Sequence, residues 1–147
     1  MTVIIPAYNC NSTLGRTLRS LVDQTAKDFK VLIVDDCSTE NLFEVIDQYK
    51  TRLTITVVRT PCNQGCGGAR QKGIETVGVS DDYIIFVDAD DILLPNAIEI
   101  LKAAAIDKPD IIVTPFLKKE LTGNISFYRF FTGGAGAFMT HGKAYNT

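Results

Sequence analysis

Asp88, Asp90 and Asp91 crowd three carboxylates into four positions, directly after the apolar run Tyr83-Ile84-Ile85-Phe86-Val87. The run shows no polar alternation and is too short for a core helix, so it predicts a strand buried on both faces. If the extended backbone continues, Asp88 and Asp90 project to the same side. Two like charges held at the exit of a buried strand repel each other, and burying them unpaired is costly. A divalent cation is the simplest compensation. Carboxylate oxygens suit Mg2+ or Mn2+, and Mg2+ commonly combines one or two carboxylates with substrate phosphates. The alternative is an acidic turn whose aspartates cap the next helix.

Such a strand end needs a sheet to hold it, and the chain alternates the elements of one. Thr2 to Ile5 is a short apolar strand ended by Pro6. Asn11 or Ser12 can cap a helix whose apolar positions Leu14, Leu18, Leu21 and Val22 share one face. Phe29 to Val34 is a second strand, closed by Asp35-Asp36, and Leu42, Val45, Ile46 and Tyr49 then repeat at helical spacing. Leu53 to Val58 is a third strand, rich in β-branched residues. Asn63 to Gly68 reads as a glycine-rich loop leading into a helix that carries Ala69, Arg70, Lys72, Ile74 and Val77. After the Tyr83 to Val87 strand, Pro95 suits the first position of a helix with Ile98, Leu101 and Ala105 on one face. Asp110 to Val113 predicts a fifth strand, and Phe116 to Leu121 with Ile125 to Phe131 predicts a strand pair around Thr122-Gly123-Asn124. The alternation over the first 113 residues predicts an α/β fold with a mostly parallel sheet.

In open α/β sheets, ligands bind outside the carboxyl ends of the strands. Four polar clusters fall there: Pro6-Ala7-Tyr8-Asn9, Asp35-Asp36, Asn63-Gln64-Gly65 and Asp88-Ala89-Asp90. Together they suit a nucleotide-type ligand. Tyr8 can flank a base ring, and Asp35 or Asp36 can accept hydrogen bonds from ring or ribose donors. The glycines let the backbone approach a ligand, and Arg70 supplies a fixed cation. Tyr8 at the edge of the core, Asp36 as a helix cap and Arg70 on a solvated face are the plainer readings of the same residues.

The totals narrow the function. The 147 residues, 46% hydrophobic and 22% charged with a net charge of −2, describe an ordinary globular domain and give no footprint for nucleic acid or an anionic membrane. No apolar run approaches the ~18 residues of a membrane span and no leader pattern precedes Val3, so a cytoplasmic chain is expected. Cys10, Cys37, Cys62 and Cys66 are expected as reduced thiols; Cys62 and Cys66 have metal-ligand spacing, but no second pair follows. A dinucleotide fingerprint fails because Arg70 stands at its third glycine position, and no Walker loop is present.

Taken together, Val3-Ile4-Ile5-Pro6-Ala7-Tyr8-Asn9, Leu32-Ile33-Val34-Asp35-Asp36-Cys37-Ser38, Asn63-Gln64-Gly65 with Ala69-Arg70, and Phe86-Val87-Asp88-Ala89-Asp90-Asp91 followed by Pro95 resemble the family 2 glycosyltransferases, in the family's order and spacing. Ser20-Leu21 and Gln24-Thr25 match the family's usual end of the first helix. The resemblance implies the three-layer α/β/α GT-A fold and transfer of a sugar from a nucleotide-diphosphate donor, UDP-sugars favoured, to a glycan or other hydroxyl acceptor with inversion. It implies that Pro6, Tyr8, Asp36 and Arg70 hold the nucleotide and that Asp88 lies near the ribose and metal; Ala7, Asn9, Asp35, Asn63, Gly65 and Ala89, from the same strand-end clusters, are expected to complete the donor site. Asp90, with Asp88, would then bind Mn2+ or Mg2+.

His141-Gly142-Lys143-Ala144-Tyr145 resembles a mid-chain stretch of the family, whose general base usually lies beyond it. Glu120 is the only acidic residue after Asp110, so the base is expected beyond Thr147. Residues 1–147 thus read as one nucleotide-sugar-binding domain whose acceptor part, beyond about 115, is incomplete. Two other readings compete: a non-catalytic binding module, and a phosphatase-like site with an aspartyl nucleophile at Asp88. A second copy of the chain would be one cover for the exposed edge, making a homo-oligomer.

Overall fold

The computed structural model describes residues 1–78, 83–119 and 124–128. Glu120, Gly133 to Gly136 and the His141 to Tyr145 stretch lie outside them. Four strands, β1 (Thr2–Ala7), β2 (Lys30–Asp35), β3 (Ile55–Arg59) and β4 (Ile84–Phe86), form a parallel sheet in the order β3-β2-β1-β4. Val3, Ile5 and Val31 meet Leu14, Leu18 and Leu21 of α1 (Asn11–Val22), Ile46 of α2 (Phe43–Ile46) and Ile98 of α4 (Ala97–Ala104) on one face. Ile4, Leu32 and Val34 meet Ala69 of α3 (Gly65–Val77) on the other. Both faces are covered, which is why β1 and β2 read as unbroken apolar runs. The expected three-layer α/β/α architecture is the observed one.

Several boundaries differ for identifiable reasons. β1 runs through Pro6, although proline is unusual in a central strand. Thr2 N donates to Tyr83 O and Ile4 O accepts from Val87 N, so the even-numbered residues of β1 bond toward β4. Pairing with β4 stops at Ile4↔Phe86, so Pro6 faces that side only where no ladder partner remains. The predicted glycine loop is largely helix: α3 begins at Gly65, and Gly67 and Gly68 lie in its first turns. Neither Asn11 nor Ser12 caps α1; Glu40 Oε2 accepts the Asn11 N–H at 2.9 Å, bringing a carboxylate to the positive end of the helix. Pro95 sits in a turn ahead of α4, and Asp110 to Val113 forms no strand. β4 is half-buried rather than buried on both faces, because it has a partner on only one side among the described residues. The predicted strand pair is present as antiparallel β5 (Phe116–Lys119) and β6 (Ile125–Tyr128).

Candidate functional site

The carboxyl ends of β1 to β4 lie along one edge of the sheet. The chain steps outward from β1 to β2 and β3, then returns to place β4 on the opposite side of β1. The switch of direction therefore falls between β1 and β4, the crevice where open α/β sheets receive ligands.

The two aspartates after β2 act on different parts of this edge. Asp35 Oδ1 accepts the Ser38 N–H at 2.9 Å and its Oδ2 accepts from Arg59 Nη1 at 2.6 Å, while Arg59 Nη2 donates to Ser38 O at 2.8 Å. This clasp closes the turn over Cys37, held at φ +62. Asp36, 2% exposed, accepts from the Thr60 hydroxyl at 2.8 Å, and both its oxygens lie 3.0 Å from Gln64 N. Gln64 is the residue that precedes α3, so Asp36 fixes the entry of that helix rather than capping the one that follows it in sequence. Arg59 and Thr60 were not singled out by the sequence, because their partners are 24 residues away.

Asn9 stitches the first loop to the second. At φ +46 its Oδ1 accepts from Thr39 N at 2.8 Å, and its N–H donates to Ser38 Oγ at 3.1 Å. Pro6 and Ala7 are buried in β1, whereas Tyr8 stands 48% exposed with its ring available. Asn63 Oδ1 accepts the Gly65 N–H at 2.9 Å, in a turn that holds Gly65 at φ +73, a conformation suited to glycine.

Arg70 is not on a solvated face. Its guanidinium lies 5.7 Å from the centroid of the Phe86 ring, and Nη2 donates to Asp88 Oδ1 at 2.5 Å, with the two side chains 15% and 17% exposed. The backbone then turns: Asp91 N donates to Asp88 O at 3.0 Å, so the strand does not continue extended through Asp90. Asp88 faces Arg70 and Cys66, whose Sγ lies 4.0 Å from Oδ1. Asp90 is exposed and Asp91 is buried. The same-side expectation for Asp88 and Asp90 rested on extended geometry, and the turn replaces it. No group of three or more His, Cys, Asp or Glu side chains gathers among the described residues. Asp90 offers an exposed hard carboxylate, a donor type that suits Mg2+ or Mn2+ with the remaining positions left to phosphate and water, whereas Asp88 is engaged by Arg70.

None of the four cysteines is in a disulfide. Burial pushes the Cys10 thiol up from 9.0 to about 11; a backbone hydrogen bond at Tyr8 pulls the other way, and the charges of Glu40, Asp35 and Asp90 add to the rise. The folded chain thus favours the protonated thiol, and this contribution to stability is complete below pH 9.0 and is lost as the pH rises toward about 11. Because the thiolate is the nucleophile, iodoacetamide at pH 9 is expected to alkylate Cys10 about tenfold more slowly than exposed Cys62, read by peptide mass mapping.

A family model described as glycosyl transferase family 2 matches residues 2–138. The chain belongs to that family. An uncharacterized glycosyltransferase of Haemophilus influenzae is 33% identical over 111 residues, covering 76% of this chain and 36% of the relative. The poly(ribitol-phosphate) beta-N-acetylglucosaminyltransferase TarS of Staphylococcus aureus is 31% identical over 92 residues, 61% of this chain and 16% of its own. A TarS 1–349 crystal structure in complex with UDP-GlcNAc superposes with a TM-score of 0.62 at 30% identity, covering 80% of this chain and 33% of that one. A structure of GalNAc-T7 with UDP, GalNAc and Mn2+ gives a TM-score of 0.51 at 26% identity, covering 60% and 17%. This family 2 chain spans about a third of the length of the first curated relatives it matches. The relatives are glycosyltransferases, and no helix among the described residues is long and apolar enough to cross a membrane.

Proposed function

We propose that this chain is the donor-binding part of a divalent-metal-dependent, inverting glycosyltransferase that takes a UDP-sugar and delivers the sugar to a glycan or other hydroxyl acceptor. One observation carries the reading. Arg70 and Asp88 are paired at the sheet's switch point, with exposed Asp90 two residues on, so an anion-binding and a cation-binding group stand side by side. A diphosphate bridged to a metal needs that arrangement.

The exposed Tyr8 ring, with Pro6, Ala7 and Asn9 behind it, flanks the base. Asp36 Oδ2 keeps acceptor capacity beyond the Gln64 N–H for a ring or ribose donor, with Asp35 bracing its loop. The backbone at Asn63, Gly65 and Ala89 allows close approach, and Arg70 neutralises charge as the sugar bond breaks. A Mn2+ or Mg2+ held by Asp90 and Asp88 would stabilise the negative charge that develops on the departing diphosphate. The UDP complexes among the relatives support the choice of nucleotide. Transfer from an α-linked UDP-sugar to the beta product that TarS is named for inverts the anomeric carbon, which supports inversion here. No described residue is assigned as the base that takes the acceptor proton.

Calorimetry of UDP against the chain in Mn2+, in Mg2+ and in EDTA tests the proposal. Binding is expected to depend on metal and to weaken at least about tenfold in Asp90→Ala, as for a lost charged ligand of ~1.4 kcal/mol or more. Equal binding in EDTA and in Asp90→Ala would remove the metal from the proposal, and absence of UDP binding would remove the donor. Metal-dependent release of sugar from a UDP-sugar identifies a working transferase; binding without release identifies a nucleotide-sugar-binding module.

A further inference from the structure

The inner face of α1 and the turn that follows it carry three buried polar residues where apolar ones would be expected. Thr17, Ser20 and Gln24 lie at i, i+3 and i+7 and are 0%, 8% and 1% exposed. Each is costly to bury unless hydrogen-bonded. All three are, and each reaches the backbone of the segment that begins inside Asp88-Ala89-Asp90. Thr17 Oγ1 donates to Ala89 O at 2.9 Å across 72 positions of sequence. Ser20 Oγ accepts the Leu93 N–H at 3.1 Å and donates to Thr17 O at 2.7 Å. Gln24 Nε2 donates to Leu94 O at 2.8 Å, and its Oε1 accepts the Ile98 N–H at 3.0 Å.

The anchors leave one side chain of the turn unheld. Val87 N donates to Ile4 O at 3.0 Å, Asp88 is held by Arg70, Ala89 O by Thr17, and Asp91 N by Asp88 O. Asp90 projects from this frame exposed, with no hydrogen bond to its carboxylate among the described residues. The Ala89 carbonyl belongs to the peptide unit that leads into Asp90, so the Thr17 hydroxyl sets the plane from which the Asp90 side chain departs. A purely packing role at this position would be met by valine, which has the shape of threonine without the donor.

The geometry points to Thr17 as a positioning residue that preorganises the metal-binding turn, with Ser20 as its secondary support. The inference rests on the proposed metal-dependent donor site and adds to it a residue that touches neither metal nor nucleotide.

The test is the Mn2+-dependent gain in UDP affinity, the ratio of dissociation constants in EDTA and in Mn2+, measured by calorimetry on the full chain. Thr17→Val is expected to lower that gain about tenfold while leaving affinity in EDTA unchanged. Thr17→Ser, which restores the hydroxyl, is expected to recover it. Thr25→Val, which loses the 2.7 Å hydrogen bond to Glu99 Oε2 at the far end of the clamp, is expected to leave the gain intact. An unchanged gain in Thr17→Val overturns the inference while the donor reading stands, and failure of Thr17→Ser to recover the gain assigns the effect to packing and overturns it too. If Thr17→Val does not fold, Ser20→Ala carries the same test: a reduced gain upholds the inference and a full gain overturns it. A wild-type chain that binds UDP without any Mn2+ gain defeats the metal reading itself, which the variants then have nothing to report on beyond refuting both.

Discussion

Arg70→Met is expected to move two affinities in opposite directions, weakening UDP binding about thirtyfold or more while strengthening Mn2+ binding in the absence of nucleotide. The first effect follows from removing the guanidinium that the proposed site offers to the diphosphate; a charge-assisted hydrogen bond in a partly buried setting contributes roughly 2–3 kcal/mol. The second follows from the pair itself. Asp88 is neutralised by Arg70, so Mn2+ must compete with an internal cation for the same carboxylate. Without Arg70 that competition ends, and Asp88 joins Asp90 as a carboxylate with no cationic partner among the described residues. Calorimetry with UDP and Mn2+ titrated separately reads both. Arg70→Lys is expected to restore only part of the UDP affinity, because a point charge does not reproduce the planar fork. If Mn2+ alone binds no better to Arg70→Met, Asp88 is not a metal ligand.

Gly73→Ala is expected to destabilise the fold although alanine is the better helix former. The substitution gains about 1 kcal/mol of helix propensity inside α3. A Cβ at Gly73, however, would stand 2.6 Å from Ile4 Cγ2, 3.2 Å from Ile4 Cδ1 and 3.4 Å from Val34 Cγ2. Ile4 and Val34 are fully buried in the central strands, so neither can yield without moving the sheet. Overpacking of this kind costs about 1–3 kcal/mol, and at 2.6 Å the upper end applies, so the clash exceeds the propensity gain. A net loss of about 1–2 kcal/mol lowers the Tm of a domain this size by several degrees, read by thermal melt. Gly67→Ala is the counterpart in the same helix: its Cβ would meet nothing within 4 Å, and it is expected to raise stability by about 0.5–1 kcal/mol. Equal melting temperatures for the two variants would mean that α3 does not pack on Ile4 as closely as described.

The strand ends were legible in the sequence because they depend on short-range chemistry. Apolar runs that stop at Pro6-Ala7-Tyr8-Asn9, Asp35-Asp36 and Asp88-Ala89-Asp90 announce buried parallel strands and the polar edge they share. The helix starts were less legible. Gly65, Gly67 and Gly68 suggest a loop by composition, yet α3 begins at Gly65, since tertiary packing outweighs weak propensity. Pro6 reads as a strand terminator until the neighbouring ladder shows that its missing N–H faces a vacated side.

By itself, the sequence determined the fold class, the family and which residue types crowd the carboxyl edge of the sheet. Only the tertiary structure decided how those residues divide the work. Asp36 holds the entry of α3, Arg70 neutralises Asp88 across 18 positions of sequence, and Thr17 reaches Ala89 across 72. The physical reason is range. Hydrophobic periodicity is set within a few residues, whereas the partner of a buried polar group is chosen by the order β3-β2-β1-β4, which brings together segments that no local pattern connects.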